Sequence, residues 1–195
     1  MNKKITDEQL VIIAMDFGIK LPALKAIIEV ECKGSGFNAD GTPVILYERH
    51  KFYEGLRGIN WITKSKEWYA KYPDLCNPKA GGYGKYSDQH NKLTRAATLN
   101  REVALESCSW GMGQVMGYHW KSLGYESLQA FVNAMYLSEY DQVVAMCRFL
   151  NVNGIIKYIN ANDWAGVALR YNGKAYKKNN YDVKLRDAYK KFGGK

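Results

Sequence analysis

Histidine and cysteine are sparse in this chain. It has three His and four Cys in 195 residues. His50, His90 and His119 do not complete a cysteine–histidine metal spacing, and Cys32, Cys76, Cys108 and Cys147 contain no C-x-x-C pair. No metal ligand set and no organic cofactor are therefore expected. No apolar run reaches the roughly 18 residues a membrane-spanning helix needs. The N-terminal segment carries Lys3 and Lys4 but neither a long apolar stretch nor a small-residue cleavage site, so no signal peptide is expected. A chain made in a reducing compartment should keep its four cysteines as small buried hydrophobes. Internal repeats, low-complexity tracts and linkers are also missing, and the length suffices for one core. Residues 1–195 are thus expected to form a single domain, and a monomer.

Acidic residues are the scarcer charge, with 19 Asp and Glu against 28 Lys and Arg for a net charge of +9. Such a balance suits a polyanionic partner: nucleic acid, an anionic membrane surface or an acidic wall polymer. No nucleic-acid-binding motif accompanies the charge, so nucleic acid is not expected. The cations concentrate late, at Lys174, Lys177, Lys178, Lys184, Arg186, Lys190, Lys191 and Lys195. A basic C-terminal helix there is the feature expected to meet an anionic envelope surface. The same charge would also serve simply to keep the protein soluble.

The remaining sequence reads mainly as helix. Thr6 and Gln9 have the spacing of a capping box, which predicts a helix over 7–17 that Gly18 ends. Pro22 suits the first turn of a second helix, and the glycines Gly34 and Gly36 after Lys33 suit a left-handed cap at its end. The turn former Asn38-Ala39-Asp40-Gly41 precedes the β-prone run Val44–Tyr47, which predicts a small hairpin over 37–48. Further helices are expected near 50–56, 64–71, 87–97, 100–107, 128–137, 139–150, 154–159, 163–171 and 183–192. Helical character should also resume at Gln114 or Val115, and Ser127, Ser138 and Asp163 are suitable N-caps. The fold class is therefore mainly α, a helical domain with a small β-hairpin element near residues 37–48.

One carboxylate stands out in that reading. Residues 100° apart on the second helix place Leu24, Ile27, Ile28 and Glu31 at i, i+3, i+4 and i+7, the spacing of a buried face. Glu29 points away with Lys25 and Lys33. An ionised carboxylate on the apolar stripe loses hydration, which raises its pKa. A carboxyl group that stays protonated near neutrality can act as a general acid. The alternative for Glu31 is a position at the core's edge, paired with Arg or Lys.

Three patches follow in chain order: Ile28–Phe37; Glu106-Ser107-Cys108-Ser109-Trp110-Gly111-Met112-Gly113-Gln114-Val115-Met116; and Ala168-Leu169-Arg170-Tyr171-Asn172-Gly173. A helix-borne Glu, then Ser-Trp-Gly-x-x-Gln-x-Met, then Ala-Leu-x-Tyr-Asn-Gly resembles the lysozyme-like superfamily. Within it the chain most resembles the N-acetylmuramidases of phage and prophage endolysins. There a Val-Glu-Ser helix end precedes an Ile-Leu-Phe-Glu-Arg-His strand. Here these read Val30-Glu31-Cys32 and Ile45-Leu46-Tyr47-Glu48-Arg49-His50, so Cys32 departs from the pattern. The resemblance runs from about Leu21 to Phe192. It implies an α+β lysozyme-like fold and cleavage of the β-1,4 bond between N-acetylmuramic acid and N-acetylglucosamine in peptidoglycan. It puts the general acid on Glu31 and implies synthesis in a host cytoplasm, with access to the wall after membrane permeabilisation.

Glycoside hydrolysis usually takes two carboxyl groups. Glu48, at the end of an apolar strand, is favoured for the second over Asp40, whose turn position suits local hydrogen bonding. A structural ion pair is the competing role for Glu48. Ser109 and Gln114 are candidate sugar-binding residues, since glycine lets the backbone approach a ligand and Gln both donates and accepts. Tyr171 and Asn172 are candidates by resemblance to a cleft-facing Tyr-Asn pair; a helix C-terminus with an Asn cap is their plainer reading. Trp61, Trp68, Tyr83 and Tyr86 are expected in the core rather than in the site. Two other functions fit the same residues. A lytic transglycosylase would use Glu31 without Glu48, and a non-catalytic cationic binder of wall or membrane would need neither.

Overall fold

The computed structural model describes residues 3–32 and 34–195. Helices α1 (Asp7–Asp16) and α2 (Leu21–Glu31) open the fold. Thr6 and Gln9 form the expected capping box on α1, and Pro22 lies in the first turn of α2. Strand β1 (Ile45–Tyr47) leads into α3 (Arg49–Gly58) and α4 (Ile62–Lys71). After a long loop and a 3-10 turn at Tyr86–Asp88 come α5 (Gln89–Leu99) and α6 (Arg101–Glu106). Strands β2 (Cys108–Trp110) and β3 (Val115–Met116) are followed by a 3-10 turn at Gly117–His119. The C-terminal half is helical: α7 (Leu128–Leu137), α8 (Glu139–Val152), α9 (Ile156–Asn160), α10 (Trp164–Asn172), a 3-10 segment at Lys174–Asn179, and α11 (Tyr181–Lys191). Ser127, Ser138 and Asp163 cap α7, α8 and α10 through the backbone amides of Ala130, Asp141 and Gly166.

Three local expectations are corrected. Residues 37–48 do not form a hairpin of paired strands: the 38–41 turn is closed by an isolated bridge between Phe37 and Pro43, with the Asn38 amide on the Thr42 carbonyl and the Val44 amide on the Gly36 carbonyl, both at 2.8 Å. Strand β1 pairs instead with β2, some 60 residues on, in antiparallel register Ile45↔Trp110, Leu46↔Ser109 and Tyr47↔Cys108. Helix does not resume at Gln114. Val115 and Met116 form β3 against β2, because the glycines of 109–113 allow a turn tight enough for the chain to fold back on itself. Nor is the C-cap residue of α2 itself left-handed. Cys32 is extended, at φ −96° and ψ 116°, and the first left-handed glycine is Gly34. Lys33 itself, and its expected place on the outer face of α2, lie outside the described residues.

The sheet divides two environments. Ile45, Tyr47, Cys108 and Trp110 are buried in the core. Leu46, Ser109 and Met116, one cross-strand row, line a cleft on the other side. Beneath lies a continuous apolar core in which Leu24 and Ile27 of α2 join Phe131 and Met135 of α7, and Val143, Met146, Cys147 and Leu150 of α8. Helix α11 packs against α2 and backs the helix that carries Glu31. Among the described residues no helix is long and apolar enough to cross a membrane.

Candidate active site

A cleft of about 720 Å³ runs over the sheet. Both expected carboxylates, Glu31 and Glu48, line it, and so do Ser109, Gln114, Tyr171 and Asn172. Asp40 does not; it is exposed, accepting from the Thr42 hydroxyl and the Thr42 amide at 2.9 Å, and these donors hold its pKa below the ordinary carboxylate range. Glu29 points outward and pairs with Lys191 at 2.7 Å. The helical wheel thus separated the two glutamates correctly, even though Glu31 lies at the last residue of its helix.

Glu31 is held in the last turn of α2 with its carboxyl largely withdrawn from water. Burial raises its pKa, and the one opposing influence is the Asn172 amide, which donates to Oε1 at 3.0 Å. The group therefore keeps its proton to a higher pH than a free glutamate, which is the state a general acid requires. Asn172 reaches it from the end of α10, across 141 residues of sequence. Tyr171, beside it, donates its phenol to the carbonyl of Gly113 at 2.9 Å. Burial, reinforced by the nearby Glu31 charge, pushes the Tyr171 pKa well up, so this phenol remains a donor.

The glycine loop between β2 and β3 is tied down from several sides. The Cys32 thiol donates to the carbonyl of Met112 at 3.0 Å. Burial pushes that thiol up to a pKa of about 12, with the charges of Glu31 and Glu139 adding to the effect. Gln142 of α8, almost wholly buried, accepts from the Met112 amide at 2.9 Å and donates to Gly36 at 3.2 Å and Met135 at 2.8 Å. It joins the loop after Glu31 to the loop after Trp110. A Cβ at Gly36 would stand 1.9 Å from the Gln142 Oε1, and one at Gly111 would stand 2.6 Å from its Cδ, so both positions need glycine. Neighbouring Glu139 accepts from Ser35 Oγ at 3.1 Å, the Gly36 amide at 3.0 Å and the Ile5 amide at 3.1 Å.

Ser109 and Gln114 first satisfy each other. The Ser109 hydroxyl donates to Gln114 Oε1 at 2.8 Å, while Gln114 Nε2 donates to the Gly111 carbonyl at 2.8 Å. These bonds hold Gln114 at φ +46°, in the left-handed region that side-chain-bearing residues avoid. Backbone strain of this kind concentrates at functional sites. Glu48 sits at the far end of β1, its backbone amide fixed to the Ser107 carbonyl at 2.9 Å, and its Oε2 lies 3.2 Å from His50 Nδ1. The neighbour of Glu48 is thus an imidazole, which would make the structural ion pair considered for this residue only in its protonated form. All four cysteines are free thiols, three of them buried.

Sequence reasoning found Tyr171 but missed the rest of the aromatic wall. Tyr118 and His119 lie with ring centroids 4.4 Å apart, His119 meets Phe149 at 5.1 Å, and Phe149 meets Tyr171 at 5.8 Å. All four rings line the cleft, as does the exposed Tyr86, which was read as core. Burial lowers the pKa of His119 and favours its neutral form. The one available signal was Tyr118-His119 directly after the glutamine motif, and nothing in its spacing separates a cleft wall from a core stripe. Trp68 is in the core, while Trp61 is partly exposed.

Comparison with known proteins adds a family and a structural neighbour. The sequence profile of the N-acetylmuramidase family matches residues 20–193. No curated protein sequence gives a significant match. Among solved structures, the crystal structure of a Burkholderia AP3 phage endolysin superposes with a TM-score of 0.91 at 42% sequence identity. The superposition covers 98% of this chain and 72% of that one.

Proposed function

The chain belongs to the N-acetylmuramidase family and is a peptidoglycan glycoside hydrolase, and from that premise we propose a two-carboxylate endolysin mechanism on this cleft. The bond cleaved is the β-1,4 linkage between N-acetylmuramic acid and N-acetylglucosamine. The glycan strand lies along the cleft over Leu46, Ser109 and Met116. Glu31 gives its proton to the glycosidic oxygen as the C1–O bond breaks. Glu48 takes a proton from a water whose oxygen bonds to C1. The water is thereby divided between the two fragments, leaving Glu31 ionised and Glu48 protonated until solvent resets both. Asn172 orients the Glu31 carboxyl through Oε1, while Gln114 and Ser109 meet sugar hydroxyl or acetamido groups. The observation that carries this reading is Glu31 itself, buried enough to raise its pKa while lining an open cleft.

The whole chain acts as one monomeric catalytic domain. It accumulates in the host cytoplasm and reaches the wall after the membrane is permeabilised, its basic C-terminal helix meeting anionic envelope groups without any role for nucleic acid. The decisive variant is Glu31→Gln, which preserves shape and removes the proton. Its rate on purified peptidoglycan is expected to fall by roughly 10² to 10⁴, the contribution of a positioned general acid. Wild-type clearance by a folded Glu31→Gln protein would overturn the enzymatic mechanism in favour of a cationic binder. Mass spectrometry of the wild-type products is expected to show hydrolysed reducing ends. Anhydro ends, one water lighter, would instead assign the chain to transglycosylation.

A further inference from the structure

We propose that His50 is the positioning residue for Glu48, holding one carboxylate oxygen so that the other faces the attacking water. This rests on the reading of Glu48 as the second carboxylate. Glu48 occupies the N-cap of α3, where short polar side chains such as Asp or Ser accept from the first free amides of the helix and the longer glutamate is not a favoured cap. Here it makes no such bond. The carboxylate turns to the cleft instead, and its Oε2 lies 3.2 Å from Nδ1 of His50, two residues on in the first turn of the same helix. Only 15% of the Glu48 side chain and 17% of the His50 side chain remain exposed. Neither Glu48 Oε2 nor His50 Nδ1 has a hydrogen-bond partner among the described residues, and the two stand close to each other without the alignment of a bond.

A buried carboxylate oxygen and a buried ring nitrogen facing each other across 3.2 Å satisfy one another when Nδ1 carries the proton and donates it. A small ring rotation closes that bond. It fixes the carboxylate rotamer and the imidazole tautomer together, as an orienting group does for a catalytic base. The backbone is already immobile, since the Glu48 amide is bound to Ser107 in the neighbouring chain segment. Tyr83, from the loop after α4, also faces the carboxylate. Glu48 is thus withdrawn from helix capping and braced from the side away from the water it activates. The proton taken from water passes to Glu48, not to His50.

His50→Ala, His50→Asn and Glu48→Gln, assayed beside the wild type on soluble glycan fragments, test this. His50→Ala is expected to lower kcat roughly tenfold or more, part of the 10² to 10⁴ that a positioned acid–base group contributes, with KM changed less than about twofold. Its products should shift from hydrolysed toward anhydro ends, because a loosened Glu48 delivers water less well than the sugar's own 6-hydroxyl competes for C1. His50→Asn, whose amide nitrogen can replace Nδ1, should recover most of the rate. In wild-type protein, ¹⁵N NMR should find Nδ1 protonated and Nε2 bare, a readout that needs no variant to fold. Wild-type kcat in His50→Ala beside an inactive Glu48→Gln would overturn the role of His50 and leave that of Glu48 standing. Equal losses in both His50 variants, or the opposite tautomer in the wild type, would also overturn it. An active Glu48→Gln would remove the second-carboxylate reading itself.

Discussion

At the scale of single residues, the site is organised by what burial does to acidity. Glu31 has a raised pKa because its charged form is desolvated more strongly than the Asn172 amide can offset. Between the unfolded and the folded pKa the native state binds the extra proton, so stability falls as pH rises through that window and stays lower above it. Glu31→Gln keeps an acceptor for Asn172 and cannot ionise. Its thermal midpoint is therefore expected to match the wild type in acid and to exceed it above the window, in calorimetric scans at several pH values. Asn172→Ala should act on the same carboxyl in the opposite sense to a stabilising donor. With the amide gone, the ionised form loses its one favourable partner, and the alkaline limb of the kcat/KM profile should move to higher pH. A limb that stays in place would mean that some other group sets it. Cys32, one residue on, lines the cleft and is expected to react slowly. Its thiol pKa of about 12 against an ordinary 9.0 makes the thiolate fraction, and hence the labelling rate by iodoacetamide, on the order of a thousandfold lower than in the unfolded chain.

At the scale of elements, the cleft consists of loops that helices hold in place, and this explains which parts were readable. The helices were legible because their signals are local: the capping box of Thr6 and Gln9, Pro22 at the head of α2, and the caps Ser127, Ser138 and Asp163 all act within one turn. Glu31 was legible for the same reason, since a wheel needs only eleven residues. The sheet was not, because β1 finds its partner in β2, and no local pattern distinguishes Ile45 facing Trp110 from Ile45 facing its own turn. The network around Gln142 was hidden too. A glutamine among Val143, Met146 and Cys147 reads as solvent-facing until Gly36 and Met112 arrive from distant segments to bond it. That network makes a definite prediction. Gln142→Ala takes the acceptor from the Met112 amide and the side-chain donor from the Met135 carbonyl, while the Gly36 carbonyl keeps the Val44 amide at 2.8 Å, at a cost of about 1 to 3 kcal/mol for each group left without a partner that water cannot reach. Gly36→Ala, driving a methyl into the same amide, should cost a similar amount by overpacking. Urea melts should place both variants below the wild type. Ser35→Ala, which removes only one of the three donors to Glu139, should lie nearer to it.

At the scale of the whole molecule, the placement of charge matters more than its sum. The 3-10 segment Lys174–Asn179, with Lys174, Lys177 and Lys178, joins Asn172 to Tyr181, and both of those residues line the cleft. The basic stretch therefore begins at the mouth of the site. Helix α11 continues it, with Lys184, Arg186 and Lys190 exposed while Leu185, Ala188 and Tyr189 are buried beside α2. The element that backs the Glu31 helix thus turns its charged face to solvent. On the proposal that this surface meets an anionic wall, its field would act over a Debye length of about 10 Å at 0.1 M salt and about 3 Å at 1 M. Rates on intact anionic walls should consequently fall steeply as sodium chloride rises across that range. Rates on short glycan fragments, which carry few charges and feel that field only weakly, should stay more nearly level. Replacing Lys177, Lys178 and Lys184 together by glutamate should flatten the wall-rate profile and lower its low-salt end, leaving the fragment rate unchanged. A wall rate indifferent to salt in the wild type would reduce the positive charge to a solubility device. A fragment rate that fell in parallel would place the salt effect in the cleft itself rather than in the approach to the wall.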